Sequence, residues 1–227
     1  MHFHVITLFP EMFDSYLNES ILARARKEKK IKVTFINPRK FVTGKYRKVW
    51  PDGNVSLQVD DRPYGGGPGM VMRAEPVVKA IESVVKKIKD KRKIKIIFFS
   101  PSGALFDTLY AKQVAKKYTD IIFISGRYEG IDARVQKIFK CDDISIGNYV
   151  LTGGELPAMV LIDSISRQVK GVLGKFESLE EERISSSEIY TRPEVFVYKD
   201  KKYKVPGVLL SGNHKDIDNW KKGSKKG

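Results

Sequence analysis

The sequence predicts an α/β fold: a parallel sheet with helices on both faces, followed by a small carboxyl-terminal domain. Short apolar runs rich in β-branched residues alternate with amphipathic stretches of helical length. That alternation is what a parallel sheet requires, because each crossover must return across one of its faces. Polar, glycine-rich loops stand directly behind three of the strand-like runs. A chain of 227 residues can bury a substantial core, and 41% hydrophobic with 30% charged residues is the balance of a folded protein.

Phe3 to Phe9 reads as the first strand, and Pro10 suits the first turn of a helix running to about Lys27. Met12, Phe13, Tyr16, Leu17, Ile21 and Leu22 fall on one face of that helix. Ile31 to Ile36 is a second strand. Residues 37 to 70 are irregular and too long for a simple connector, which marks them as functional. Ala74 to Lys89 is an amphipathic helix, Ile94 to Phe99 a strand, and Phe106 to Lys117 a helix. Ile121 to Ser125 and Ile144 to Ile146 are further strands. Ile131 to Phe139 and Glu155 to Val169 are the helices that follow them. The boundaries expected are a main domain over 1–173, a charged linker over 174–187 and a small domain over 188–227. The last contains a hairpin turning at Lys199-Asp200, a helix over 213–222 and a basic tail.

Composition removes several classes of function. Cys141 is the only cysteine, so neither an internal disulfide nor a cysteine-cluster zinc site is available. No apolar run approaches the roughly 20 residues that span a bilayer. The start Met1-His2-Phe3-His4 lacks the features of a signal peptide, making the cytoplasm the expected compartment. The glycine run 65–69 is followed by Met70, not by the lysine of a phosphate-cradling loop. There is no Gly-x-Ser-x-Gly elbow for a serine hydrolase. His2, His4 and His214 are the only histidines. The first two share one face of what reads as an edge strand and are expected to be packing or surface residues, not metal ligands.

Charge has two readings. Lysine and arginine total 42 against 27 acids, a formal net charge of +15. Phosphate-rich partners such as RNA fit this balance. Runs such as Lys86-Lys87-Ile88-Lys89 equally fit the solvated face of a helix, and charge alone does not choose.

The loops at 100–103, 125–130 and 146–154 follow three strands that, if adjacent, bring them into one pocket. Ligands of open α/β sheets bind at the carboxyl ends of strands, where glycines let the backbone approach closely. Polar backbone with few charges suits a neutral heterocycle such as adenine.

At these loops the chain resembles a known family. Asp60 through Met70, Gly126 through Asp132, Ser145 through Pro157, Leu161 through Arg167, Tyr190 through Glu194 and Leu209 through His214 closely resemble the bacterial tRNA (guanine-N1)-methyltransferases, the TrmD family. The blocks occur in the family's order and cover nearly the whole chain.

The resemblance implies a SPOUT-type methyltransferase with a trefoil knot, active as a homodimer. It implies transfer of a methyl group from S-adenosylmethionine to N1 of the guanosine 3′ of the anticodon in tRNA. It places the cofactor against Phe98, Ser100, Gly126, Tyr128, Ile146, Gly147, Asn148, Tyr149, Val150, Leu151, Gly153 and Gly154. Glu129, Arg167 and an acid of the linker correspond to the groups that handle guanine. Magnesium dependence is a further family property, although no metal cage is visible in the sequence.

The chemistry calls for these residue types independently. N1 of guanine becomes a nucleophile only when its proton leaves, and a carboxylate is a suitable general base for that step. An arginine can stabilise the charge that develops on O6.

The chain departs from the family pattern in three places. Glu182, preceded by Glu180 and Glu181, stands where the family has an aspartate base, and the stretch from Ile184 to Tyr190 is short. The expected base is Glu182, with Glu181 as the alternative. Residues 50 to 58 resemble an inserted hairpin turning at Asp52-Gly53. The family's carboxyl domain usually runs well beyond the position of Trp220, so a shortened RNA-binding surface, supplemented by the basic tail, is expected. A non-catalytic RNA-binding protein of the same fold is the rival reading.

Overall fold

The computed structural model describes residues 1–173 and 188–223. The chain divides into two compact units, Met1–Val172 and Leu173–Gly227. The linker and Glu180, Glu181 and Glu182 within it lie outside the described residues.

The first unit is built on a five-stranded parallel sheet. Its strands are β1 (His2–Ile6), β2 (Lys32–Ile36), β7 (Ile94–Leu105), β8 (Asp120–Ile124) and β9 (Asp142–Ser145), in the order β2-β1-β8-β7-β9. Two helices, α3 (Ala74–Val85) and α5 (Arg134–Phe139), cover one face. The other carries α1 (Asp14–Leu17), α2 (Ser20–Lys27), α4 (Thr108–Lys117) and α6 (Glu155–Arg167).

Burial on both sides explains the composition of β8, Asp-Ile-Ile-Phe-Ile. Its alternate residues serve opposite cores, so no position after Asp120 is polar. On the α4/α6 face Phe123 stacks between Phe3 and Phe99, with ring centroids 5.9 and 5.7 Å away. Beneath them lie Ala158, Leu161, Ile162 and Ile165 of α6, the apolar stripe that seats this helix on the sheet. On the opposite face Ile6, Ile122 and Ile124 meet Val77, Ala80, Ile81 and Val84 of α3.

Several local expectations are corrected. β1 is not an edge strand, because β2 and β8 flank it. The helix expected from Pro10 to Lys27 breaks into a 3-10 turn at Pro10–Phe13 and two short helices. Asn18 ends α1 and Ser20 takes a φ of +52°. The side chain of Arg26 reaches back to donate to the freed Leu17 carbonyl at 2.9 Å, satisfying a helix-terminal acceptor.

Ser100 to Gly103, read as a loop, is an irregularity within the long strand β7. Phe99 and Ala104 both register with Ile144 of β9, and the residues between them bulge out.

The irregular segment 37–70 carries its own ordering. Arg47–Val49 (β3) and Val55–Leu57 (β4) form the hairpin at Asp52-Gly53, with Gly53 at φ +83°. Asp60–Asp61 (β5) pairs with Val71–Met72 (β6), closing the glycine-rich loop between them. Asp61 accepts from Tyr46 at 2.7 Å and from the Arg62 amide at 2.8 Å, so it shapes the loop.

In the second unit, Val195–Tyr198 (β10) and Lys201–Lys204 (β11) form a hairpin whose turn residues, Lys199 and Asp200, both have positive φ. A helix, α7 (His214–Gly223), follows, and Trp220 on it sits 6.2 Å from the Tyr190 ring.

Candidate active site

Because β7 lies between β8 and β9, chain order reverses around it, and the crevice of an open α/β sheet forms at such a point. A cavity of about 450 Å³ opens there, at the carboxyl ends of these strands. That volume lies in the range of small-molecule sites. Of the residues expected to hold a cofactor, Phe98, Ser100, Gly126, Tyr128, Ile146, Gly147, Tyr149, Val150, Leu151, Gly153 and Gly154 line it. Glu129 lines it too. Asn148 does not, and it points to solvent as an exposed residue of the same loop.

The loops around the cavity are joined by their backbones. Gly154 donates to the Gly126 carbonyl at 2.9 Å, and the Ser125 hydroxyl donates to the Gly154 carbonyl at 3.2 Å. A β-carbon on Gly154 would stand 2.6 Å from Ser125 Cα and 2.9 Å from the Gly126 nitrogen, both immovable backbone atoms. Only glycine permits this approach. In the loop after β9, the ring of Tyr149 folds back over Gly147 and its hydroxyl donates to the Ile146 carbonyl at 3.1 Å. Tyr128 holds a left-handed φ of +62°, a conformation that costs a bulky residue energy and that clusters at functional sites.

Glu129 is fixed from another direction. Its amide donates to the Met70 carbonyl at 3.0 Å, and Met72 donates to the Gly130 carbonyl at 2.9 Å. The glycine-rich segment thereby docks beside the cavity. Gly69 is so close that a β-carbon would stand 2.6 Å from Glu129 Cγ.

One feature escaped the sequence reading. Arg127 also lines the cavity, and its Nε lies 2.9 Å from Oε2 of Glu155, the first residue of α6. Glu155 is 1% exposed, and its other oxygen accepts from the Thr7 hydroxyl at 2.8 Å. The Arg127 guanidinium also covers the Phe9 ring at 4.8 Å. An acid just after Gly-Gly at a helix start reads as an ordinary complement to the helix dipole. Its partners lie 28 and 148 positions away, beyond any local signal.

Arg167 is the last residue of α6, whose first turn borders the cavity, so it stands roughly 18 Å along the helix from the site. It does not line the cavity of its own chain. Beside the cavity, Phe9, Met12, Tyr16, Leu156 and Val160 form an exposed apolar surface along the 3-10 turn, α1 and α6. Tyr16 donates to Asp163 across it, and this bond pushes the phenol up to about 12.

Fold and site together define an α/β protein with a small-molecule pocket at the switch point of its sheet, lined by glycines and by apolar and polar side chains. The model of the family described as tRNA (guanine-1)-methyltransferase TrmD matches residues 1–227, and the chain belongs to this family. Its relatives include proteins named tRNA (guanine-N(1)-)-methyltransferase. That of Clostridioides difficile is 44% identical over 98% of this chain and 91% of its own length. The relative from Carboxydothermus hydrogenoformans is 45% identical, covering 98% and 81%, and one from Campylobacter jejuni is 43% identical, covering 97% and 90%.

Proposed function

We propose that this chain is a tRNA methyltransferase that transfers a methyl group from S-adenosylmethionine to N1 of the guanosine 3′ of the anticodon. The observation that carries the reading is the glycine-rich cavity where the β7 bulge and the loops after β8 and β9 meet, in a chain with near-full-length methyltransferase relatives. The cavity suits the cofactor: its volume is adequate, and Gly126, Gly147, Gly153 and Gly154 expose main-chain groups to a heterocycle. When bound, S-adenosylmethionine supplies an electrophilic methyl group.

The protein's own residues prepare guanine. Glu182 takes the N1 proton, Glu129 accepts hydrogen bonds from the base edge, and Arg167 offsets charge growing on O6. Because Arg167 stands a helix length from its own cavity, the reading includes a homodimer in which it serves the partner's site. The exposed apolar surface beside the cavity supports such a contact. A trefoil knot, a cytoplasmic location and a tRNA-binding role for the small domain over 188–227, with its lysine-rich strand Lys201–Lys204, belong to the same reading. Magnesium does not fit equally well. Among the described residues the one three-membered group of candidate metal ligands, His2, His4 and Asp120, lies at the other end of the strands.

The test is incubation with methyl-labelled S-adenosylmethionine and unmodified tRNA, followed by mapping of the modified base. N1-methylguanosine 3′ of the anticodon is expected, and Glu182→Gln should slow single-turnover transfer roughly a hundredfold. Tight tRNA binding without methylation would favour the non-catalytic RNA-binding reading.

A further inference from the structure

The opposite pole of the sheet carries a second cluster. His2 of β1 and Asp120 of β8 are direct neighbours in the parallel register, and His4 follows two residues along on the same face. His4 Nε2 lies 2.9 Å from Asp120 Oδ1, His2 Nδ1 lies 3.7 Å from the same oxygen, and the two imidazoles are 3.8 Å apart by centroid. One nitrogen from each ring and a carboxylate oxygen fall within 4.8 Å of one another. From these positions, we infer that His2, His4 and Asp120 form a binding site for a divalent transition-metal ion of the zinc class.

The surroundings suit ligation. His2 Nε2 is 2.7 Å from the Thr34 hydroxyl. In the tautomer whose Nε2–H donates to Thr34, the Nδ1 lone pair faces Asp120, the arrangement a cation would bridge in place of the His4–Asp120 hydrogen bond. The Thr119 hydroxyl donates to the other Asp120 oxygen at 2.9 Å and fixes its orientation. Outer partners of this kind are what hold metal ligands in place. His4 is buried while His2 keeps 26% of its side chain exposed, leaving an entry and a position for water. Two imidazoles and one carboxylate with an open fourth position are a zinc-type donor set.

Lys32 and Lys87 put positive charge nearby, which opposes cation binding. The site lies at the amino ends of the strands, a strand length from the cavity, so it clamps β1 to β8 and takes no part in methyl transfer.

Titration of the metal-stripped full-length protein with Zn2+ by calorimetry, and with Co2+ by visible absorption, tests this. One equivalent bound at micromolar concentration is expected, with Co2+ bands of low coordination number and a higher melting temperature in excess Zn2+. His2→Ala and Asp120→Asn should each weaken binding at least roughly tenfold. His214→Ala should leave it unchanged, and His2→Ala should retain methyl-transfer activity. Absence of saturable binding to the wild-type protein, or equal binding by both variants, would overturn the assignment.

Discussion

Arg127, which lines the cavity, faces the buried Glu155 at 2.9 Å and joins the loop after β8 to the first turn of α6. The contact is an ion pair and not an aligned hydrogen bond, because neither Nε nor Oε2 has a hydrogen-bond partner. Thr7 holds the other carboxylate oxygen, so the acid is oriented from two sides. Removing one partner of such a pair strands a charge. Glu155→Gln should therefore cost about 3 kcal/mol of stability, the low end for a buried pair, since Arg127 keeps 17% exposure. Joint replacement, Arg127→Met with Glu155→Leu, should cost less than the single change. Denaturant titration of the three variants checks this.

Gly154 controls the cavity wall. Its missing side chain lets the start of α6 touch the Ser125 backbone, and neither partner can yield. Gly154→Val should abolish S-adenosylmethionine binding in calorimetry while the far-ultraviolet circular dichroism is retained. Undiminished affinity would remove this loop from the binding site.

Much of this arrangement was legible from glycines and apolar runs. Gly126, Gly147, Gly153 and Gly154 all line the cavity, with Gly154 the one packed against backbone, and the strand-loop-helix rhythm puts their loops at one end of the sheet. What escaped depends on long-range geometry. Ser100 to Gly103 has loop composition, but β9 holds the strand on both sides of it to a single register at Ile144. Asn18, Glu19 and Ser20 interrupt a helix whose apolar periodicity runs on regardless, because the packing of Leu17 and Leu22 survives a change of axis. The placing of Arg167 away from the cavity also could not be read locally, since a helix has two ends and the sequence does not say which one the ligand meets.

Glu129 depends on Gly69. At φ +81°, with Glu129 Cγ 2.6 Å from where a β-carbon would sit, Gly69 tolerates no side chain without moving that acid. Gly69→Ala should reduce single-turnover methyl transfer at least tenfold while leaving S-adenosylmethionine affinity close to normal. Equal losses in both would mean that the loop supports the cofactor as well as guanine.

Cys141 is held inert. Burial, with Asp143 and Asp142 nearby, pushes its thiol up to about 11 from 9.0. A group whose folded value is raised contributes stability below its unfolded value and loses it as pH rises towards the folded one. That contribution is therefore complete below pH 9.0 and declines on the way to about 11. Aromatic disulfide reagents should accordingly label native protein slowly at neutral pH and quickly once denaturant unfolds it. Fast labelling of the native protein would show that the thiol is exposed and ionised.

The separation of Arg167 from the cavity makes a prediction about assembly. α6 begins after Gly154 on the cavity wall and carries Arg167 roughly 18 Å away at its other end, so Arg167 does not line the cavity of its own chain. If two chains share a site, a defect in the cofactor loop and a defect in Arg167 belong to different halves of it. A Gly154→Val chain and an Arg167→Ala chain, each inactive as a homodimer, should then regain partial activity when mixed under conditions that exchange subunits. In the heterodimer, one site combines an intact cofactor loop from the Arg167→Ala chain with an intact arginine from the Gly154→Val chain. The other site carries both defects, which sets a ceiling of half the wild-type rate per heterodimer. Demonstrated exchange with no recovered activity would mean that Arg167 serves its own chain's cavity, and that the apolar surface along α1 and α6 does not build a shared site.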